Sequence, residues 1–233
     1  ELRETSRPPK RNVCLTWCIW QRYQSTKDYV LVMNIEEQKK YEALYVGDKY
    51  RNKYKPGINF INQNKLNINN KSVALKSLIE FGSGEGHVIK YFRDKGVDCY
   101  GTDIAGNSLS FPELDEYRYI MDLGELQDFD KEFEFIFSCD VFEHLPTESI
   151  DNLLENMKRA APKGRAVVRI ALYLDARGQH DITKALHLTV KPSTWWLDKF
   201  KEHSIEVLEH NLSDGKDMIG NLDVYLQLWA KQS

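Results

Sequence analysis

The segment Leu78-Ile79-Glu80-Phe81-Gly82-Ser83-Gly84-Glu85-Gly86 runs an apolar stretch directly into a glycine-rich turn. Residues 77–81 predict a buried strand, and the periodic apolar residues that follow predict a helix over residues 86–95. Three glycines between them let the backbone turn sharply and approach a ligand without a Cβ in the way. Backbone N–H groups and the positive end of the helix dipole then face a polar or anionic group. The segment therefore predicts a cradle for a nucleotide-type cofactor.

A second predicted strand covers residues 97–103 and ends at an acid, Asp103. In a strand-loop-helix-strand unit, that acid stands beside the glycine loop, where its carboxylate can accept both hydroxyls of a ribose. Several classes of enzyme use this arrangement. Asp103 therefore predicts an adenosine-type ligand without choosing between those classes.

Strands and helices alternate along the rest of the chain. Short apolar runs predict strands, and apolar residues at spacings of three and four predict helices. The predicted strands cover residues 117–121, 133–140, 165–172, 204–210 and 222–229, and the predicted helices cover residues 148–161 and 192–202. This order predicts an α/β fold with a mostly parallel sheet.

Three motifs resemble those of class I S-adenosylmethionine-dependent methyltransferases, and they occur in that family's order over residues 76–171. Glu80 followed by glycines at 82, 84 and 86 is similar to the first motif, [DE]-x-G-x-G-x-G, and departs from the dinucleotide fingerprint G-x-G-x-x-G. Asp122-Leu123 resembles the acid-apolar pair that borders adenine after the third strand. Residues 140–145 resemble the D-x-[FL]-E-H-[LV] segment of the small-molecule branch.

The resemblance implies a Rossmann-like, doubly wound, seven-stranded, mostly parallel sheet with the last strand antiparallel. Its ligand site lies at the carboxyl ends of the strands. The implied cofactor is S-adenosylmethionine, which leaves as S-adenosylhomocysteine. The residues expected to bind it are Glu80, Gly82, Ser83, Gly84, Gly86, Asp103, Ile104, Asp122, Leu123 and Asp140.

Three polar residues are candidates for catalysis. A hydroxyl acceptor needs a base, and an imidazole suits that role. His144 is indicated by the motif, and His187 by its place in the long connection after the fifth strand. Asp140 lies where family members contact the methionyl end of the cofactor or the acceptor. Since no cluster of acids has metal-ligand spacing, we expect a metal-independent reaction.

The expected acceptor is the hydroxyl or amine of a small molecule, such as a sugar or glycan precursor. This expectation rests on the small-molecule branch and on the polar connection over residues 173–191, interpreted as a substrate-facing lid. Trp195 and Trp196 follow it. They could form an apolar wall for the acceptor, but at least one is expected to be buried on the sheet.

The chain divides into three predicted parts. Residues 1–32 are a basic N-terminal extension that we expect either to pack on the rest of the chain or to stay flexible, and residues 33–75 are a helical cap segment rich in tyrosine. The asparagine-rich stretch 59–71 predicts a loop. Residues 76–233 form the methyltransferase domain with its lid. The tyrosines of the cap, which either contact the ligand or anchor a helix, are Tyr41, Tyr45, Tyr50 and Tyr54.

Composition narrows the class of partner. A formal charge of −3 gives no electrostatic case for nucleic acid, and no apolar run approaches the ~20 residues that span a bilayer. Cys99 and Cys139 lie in predicted buried strands, and the four cysteines do not suggest a disulfide framework. We therefore expect a cytoplasmic protein that binds neither nucleic acid nor membrane. The sequence does not indicate an oligomeric state.

Two other functions agree with part of the pattern. An NAD(P)-dependent Rossmann oxidoreductase would share the first strand, the turn and Asp103, but it gives no reason for residues 140–145. A non-catalytic module could keep the scaffold and bind a partner through its aromatic flanks, because a fold does not establish an activity.

Overall fold

A computed structural model of the chain describes residues 34–46, 51, 55–63, 75–174, 186–213 and 215–229. Seven strands form one sheet in the order β3-β2-β1-β4-β5-β7-β6. Strand β7 is antiparallel to both of its neighbours, and the other pairings are parallel. The strands are β1 Ser77–Phe81, β2 Asp98–Asp103, β3 Arg118–Ile120, β4 Phe135–Cys139, β5 Arg165–Ala171, β6 Glu206–Leu212 and β7 Asn221–Gln227. The predicted seven-stranded, mostly parallel sheet with an antiparallel last strand is confirmed.

Helices cover both faces of this sheet. The α-helices of the described residues are α1 Ile35–Leu44, α2 Pro56–Gln63, α3 His87–Arg93, α4 Ile150–Ala160 and α5 Ser193–Glu202. Short 3₁₀ turns cover Pro112–Tyr117, Phe142–His144 and Thr147–Ser149. Every predicted strand, and each helix predicted after the cap segment, is present, with ends that move by one or two residues.

Two apolar clusters form the core, one on each face of the sheet. On one face, α2 and α3 bury Phe60 and Phe92 against Leu78 of β1. On the other, α4 buries the stripe Ile150, Leu153, Leu154 and Met157, and α5 contributes Trp196. The side chain of Trp196 is fully buried and Trp195 is half-buried beside it, so the expectation that at least one of them lies in the core is confirmed.

The prediction of a loop over residues 59–71 is wrong at its beginning, where α2 extends to Gln63. Asparagine favours turns because its side chain competes for backbone hydrogen bonds. Here that preference is outweighed by burial, since Phe60 and Ile61 are almost completely removed from solvent. Each such side chain stabilises the fold by about 2 kcal/mol. Residues 64–74 lie outside the described part of the chain.

Several other predictions fall outside the described residues. They concern the N-terminal extension 1–32, Tyr50 and Tyr54 of the cap, and residues 175–185 of the lid. Among the helices that the structure describes, none is long and apolar enough to cross a membrane.

Candidate active site

The glycine turn after β1 needs glycine for two physical reasons. Gly82, Gly84 and Gly86 have φ of +72°, +48° and +82°, values that L-residues with a Cβ rarely adopt. At Gly82 space is also lacking, because a Cβ there would lie 2.3 Å from Cγ2 of Val141. The turn is therefore packed tightly against the segment that follows β4.

Asp103, at the carboxyl end of β2, joins the turn to its own strand. One carboxylate oxygen accepts a hydrogen bond from the N–H of Gly84 at 2.7 Å, and the other accepts one from the N–H of Ala105 at 2.8 Å. Burial raises the pKa of Asp103, and these two backbone donors act in the opposite direction. Each carboxylate oxygen has a further lone pair. Asp103 can therefore hold the turn and still accept hydroxyl groups of a ligand.

Asp122 plays a similar part after β3. It accepts hydrogen bonds from the N–H of Gly124 at 2.8 Å and from the N–H of Asn34 at 3.3 Å. Its neighbours Met121 and Leu123 are buried. Asp122 thus ties the beginning of α1 to the edge of an apolar floor, the kind of surface on which a flat ring can lie.

These groups meet in one cleft of about 910 Å³, measured to its open mouth. Of the residues predicted to form the site, those that line the cleft are Gly82, Gly84, Asp103, Ile104, Asp122, Leu123, Asp140 and His144. The remaining predicted residues, which are not part of its lining, are Glu80, Ser83, Gly86 and His187.

Three of these remaining residues belong to β1 or to the turn itself. Glu80 is buried below it, and its pKa is raised well above the ordinary value by burial and by the negative charge of Asp103. Ser83 packs on Gly101, where an added Cβ would lie 2.6 Å from the Ser83 Cβ. Gly86 begins α3 in the left-handed conformation. Their contacts are with the scaffold of the cleft.

Asp140, which follows β4, has a φ of +56°. A non-glycine residue in this region costs about 1–3 kcal/mol, and such residues are concentrated at functional sites. Its N–H donates to the carbonyl oxygen of Arg169 on β5, at 3.1 Å. The strained backbone therefore presents the Asp140 side chain at the cleft from a fixed position.

His144 lines the cleft and contacts two segments that are distant in sequence. Its Nδ1 is 3.1 Å from Oη of Tyr41 on α1, and its ring lies edge-on to that of His187, with centroids 4.9 Å apart. Burial, with smaller contributions from His187 and Lys40, lowers the pKa of His144 to about 3. The imidazole is therefore neutral at physiological pH.

His187 is held by two sets of hydrogen bonds. Its Nδ1 is 2.6 Å from the carbonyl oxygen of Tyr173, which can only accept, so Nδ1 carries the proton. The N–H groups of Leu188 and Thr189 both donate to the carbonyl oxygen of Glu143, at 2.7 and 2.9 Å. The described end of the predicted lid is thereby fixed to the 3₁₀ turn that carries His144.

Helix α1 covers the cleft and contributes residues that sequence reasoning did not assign to it. Asn34 and Glu37 line the cleft together with the predicted Tyr41 and Tyr45. None of the α1 residues is buried, and the helix is attached by polar contacts, such as that between the Asn107 amide and the Glu42 carbonyl oxygen at 2.9 Å. The helix has no clear apolar face, so the usual sequence signal for its position is absent.

A comparison with known families matches residues 49–212 to the family described as Methyltransferase domain. No curated protein matches the chain. The matched segment contains the glycine turn, Asp103, Asp122 and the segment after β4. This match confirms the family that the motifs predict.

Solved structures of methyltransferases share the fold. A TehB-like S-adenosylmethionine-dependent methyltransferase from Corynebacterium glutamicum is 18% identical, with a TM-score of 0.56, over 83% of this chain and 99% of its own. The 1,6-didemethyltoxoflavin-N1-methyltransferase of Burkholderia thailandensis, solved with bound 1,6-didemethyltoxoflavin and S-adenosylhomocysteine, is 11% identical, with a TM-score of 0.55, over 96% of this chain and 92% of its own. At these identities the likeness establishes the fold. The predicted cofactor, S-adenosylmethionine, is consistent with these methyltransferase structures.

Proposed function

The chain belongs to the methyltransferase-domain family, and we propose that it transfers the methyl group of S-adenosylmethionine to a hydroxyl or amine of a small molecule. The observation that carries the proposal is the meeting, in one covered cleft, of the glycine turn, two strand-end acids and a neutral histidine. A sugar or glycan precursor is the favoured acceptor class. Its hydroxyl groups suit the polar side chains at the His144 end.

One end of the cleft holds the cofactor in this proposal. Asp103 accepts the two ribose hydroxyls, and the backbone of Gly82 and Gly84 lies against the methionyl part, where their missing Cβ atoms leave room. Ile104 and Leu123 lie on either side of the adenine, with Asp122 at its edge. Glu80, Ser83 and Gly86 act indirectly, through their contacts with the scaffold of the cleft.

The other end receives the acceptor. Asp140 and His144 line this part of the cleft, and His187 stands behind His144. A neutral imidazole can accept a hydrogen bond from an acceptor hydroxyl or amine. In this arrangement His144 orients the acceptor. Because a pKa of about 3 makes His144 a weak base, His187 is the better candidate of the two to receive the acceptor's proton.

The bound cofactor supplies an electrophilic methyl group on a sulfonium sulfur. The task of the protein is then to hold the acceptor atom in line with that methyl group, and alignment of this kind supplies much of the rate of such a reaction. Rigid attachment suits this task. The Asp140 backbone is held by β5, and the His187 loop is held by the Glu143 carbonyl oxygen.

The covered cleft favours a small-molecule acceptor rather than a macromolecular one. Helix α1 covers the cleft with Asn34, Glu37, Tyr41 and Tyr45. A protein or nucleic acid chain would need an open groove on this face.

Calorimetry with S-adenosylmethionine, S-adenosylhomocysteine and NAD tests the cofactor. We expect both sulfur compounds to bind with one molecule per chain, and NAD to give no heat of binding. Binding of NAD without a response to either sulfur compound would favour the oxidoreductase, which shares the strand-end acid.

A screen of acceptor pools tests the reaction. The purified protein is incubated with S-adenosylmethionine and pools of sugars, sugar nucleotides, amines and phenols, and release of S-adenosylhomocysteine is measured. We expect release with one or more small hydroxylated compounds. Tight cofactor binding without release in any pool would favour the non-catalytic module, and methylation of added protein or RNA alone would contradict the small-molecule acceptor.

A further inference from the structure

Glu143, His144 and His187 form a cluster at the acceptor end of the cleft, and we propose that these three side chains bind a divalent first-row transition metal ion, with Zn²⁺ as the reference ion. One ligand atom from each residue lies within 4.8 Å of the others. Two imidazoles and one carboxylate are a donor set that Zn²⁺ uses with a further position open. The proposal differs from the metal-independent reaction that the sequence predicted.

The cluster needs little movement to close on an ion. Tetrahedral Zn²⁺ with bonds of about 2.0–2.2 Å places its ligand atoms about 3.3 Å apart. Atoms now within 4.8 Å of one another reach that separation through small side-chain rotations. Because the Glu143 side chain is completely buried and both histidines are half-buried, the ion would be enclosed on the Glu143 side and open toward the cleft that His144 lines.

Each histidine already has an outer partner of the kind that metal-ligating histidines use. Such histidines donate their second ring N–H to a carbonyl, carboxylate or similar acceptor, which orients the ring. His187 donates from Nδ1 to the Tyr173 carbonyl oxygen at 2.6 Å, so its Nε2 is left to act as a ligand. The Nδ1 of His144 faces Tyr41 Oη at 3.1 Å, which likewise leaves Nε2.

The two ligand-bearing segments are fixed to each other by the backbone. Glu143 and His144 lie on one 3₁₀ turn, and the loop with His187 donates two main-chain hydrogen bonds to the Glu143 carbonyl oxygen. The Thr189 hydroxyl adds a third, to the Leu145 carbonyl oxygen at 2.7 Å. A preorganised site of this kind does not have to be assembled by the ion.

This inference rests on the proposed function for its purpose, since His144 lines the same cleft as the acceptor. A bound divalent ion acts as a Lewis acid on an oxygen in its open position and lowers the pKa of that oxygen. An acceptor hydroxyl so bound gives its proton to solvent and needs no imidazole base. With the ion in place, His144 and His187 act as ligands.

Metal binding can be measured without knowing the acceptor. The protein is treated with a chelator, dialysed, and titrated with Zn²⁺ in competition with a chromophoric chelator, and with Co²⁺ by visible absorption. We expect one equivalent of Zn²⁺ to bind. We expect His187→Ala to weaken binding by more than ~100-fold and Tyr41→Phe to weaken it by ~10-fold. His203→Ala is the matched control, because His203 pairs with Asp151 on the surface, away from the cluster.

Glu143→Gln removes the carboxylate with little change in shape and should also abolish tight binding. Thermal unfolding shows whether the Glu143→Gln protein still folds. If it does not, the Zn²⁺ affinity of His187→Ala tests the proposal instead. The proposal would be overturned if His187→Ala and His203→Ala lost Zn²⁺ affinity equally. It would also be overturned if the wild-type protein bound Zn²⁺ no more tightly than His187→Ala does. S-adenosylhomocysteine binding by the chelated protein is measured in parallel. If the protein binds S-adenosylhomocysteine but no Zn²⁺, the metal proposal is wrong and the methyltransferase proposal stands.

Discussion

At the cofactor end of the cleft, Asp103 and Asp122 accept hydrogen bonds from main-chain N–H groups. Two of these donors, Ala105 and Gly124, directly follow the strand of the acid they bind, and a third, Gly84, lies in the preceding glycine turn. At the acceptor end, His144 instead contacts side chains of α1 and of the loop that carries His187. The first arrangement depends on segments that are close along the chain, whereas the second depends on how distant segments pack. The cofactor end should therefore be sensitive to single backbone changes and independent of the histidine cluster.

The largest effect is expected from Gly82→Ala. The new Cβ would lie 2.3 Å from Val141 Cγ2 at a φ of +72°. Strain and overpacking together should lower the free energy of unfolding by about 3 kcal/mol and abolish cofactor binding. Urea denaturation and calorimetry with S-adenosylhomocysteine measure the two effects.

Gly96→Ala is the matched control, because Gly96 has a φ of +80° with no atom within 4 Å of the added Cβ. It carries the backbone strain alone and should cost about 1 kcal/mol without changing cofactor affinity. Adding Val141→Ala to Gly82→Ala should restore part of the lost stability. Equal costs for the two glycine variants would mean that close packing of the turn against Val141 is unimportant.

The second effect is on affinity. Asp103→Ala removes a carboxylate that can accept two hydroxyl groups, so S-adenosylhomocysteine should bind about 100-fold more weakly. His187→Ala, at the other end, should change that affinity by less than ~3-fold, because His187 does not line the cleft. Calorimetry compares the two variants. Similar losses in both would show that the two ends of the cleft are coupled.

The smallest effect concerns Glu80 and pH. Burial and the charge of Asp103 raise the folded-state pKa of Glu80 well above its ordinary value of 4.5, so the folded chain holds this proton more tightly than the unfolded chain. The resulting stability is fully present below the unfolded pKa and is lost as pH rises through the folded pKa. Glu80→Gln should remain neutral, and its free energy of unfolding should fall less with rising pH.

Denaturation at pH values from about 5 to 9 measures this difference. Glu132→Gln, at an exposed acid after β3, is the matched control. If Glu80→Gln and wild type lose stability in parallel over this range, Glu80 would not be the buried titrating group.

Prediction from sequence succeeded where a local pattern reports directly on structure. The stripe of α4 and the alternation of strands and helices are such patterns, and each is present with ends shifted by one or two residues. It failed at Asn59–Gln63, where composition indicated a loop although Phe60 and Ile61 are buried in α2. It also did not foresee the cluster of Glu143, His144 and His187, because the two histidines belong to segments separated by β5 and α4.

By itself, then, the sequence determined the order of the strands along the chain, the sharp glycine turn after β1 and the position of Asp103 at the end of β2. Those features follow from residues that are near one another in the chain, through side-chain periodicity and the conformational freedom of glycine. Only the tertiary structure decided that α1 covers the cleft and that His187 stands beside His144 and Glu143. Such contacts arise from the packing of distant segments, and α1 carries no apolar stripe from which its place could have been inferred.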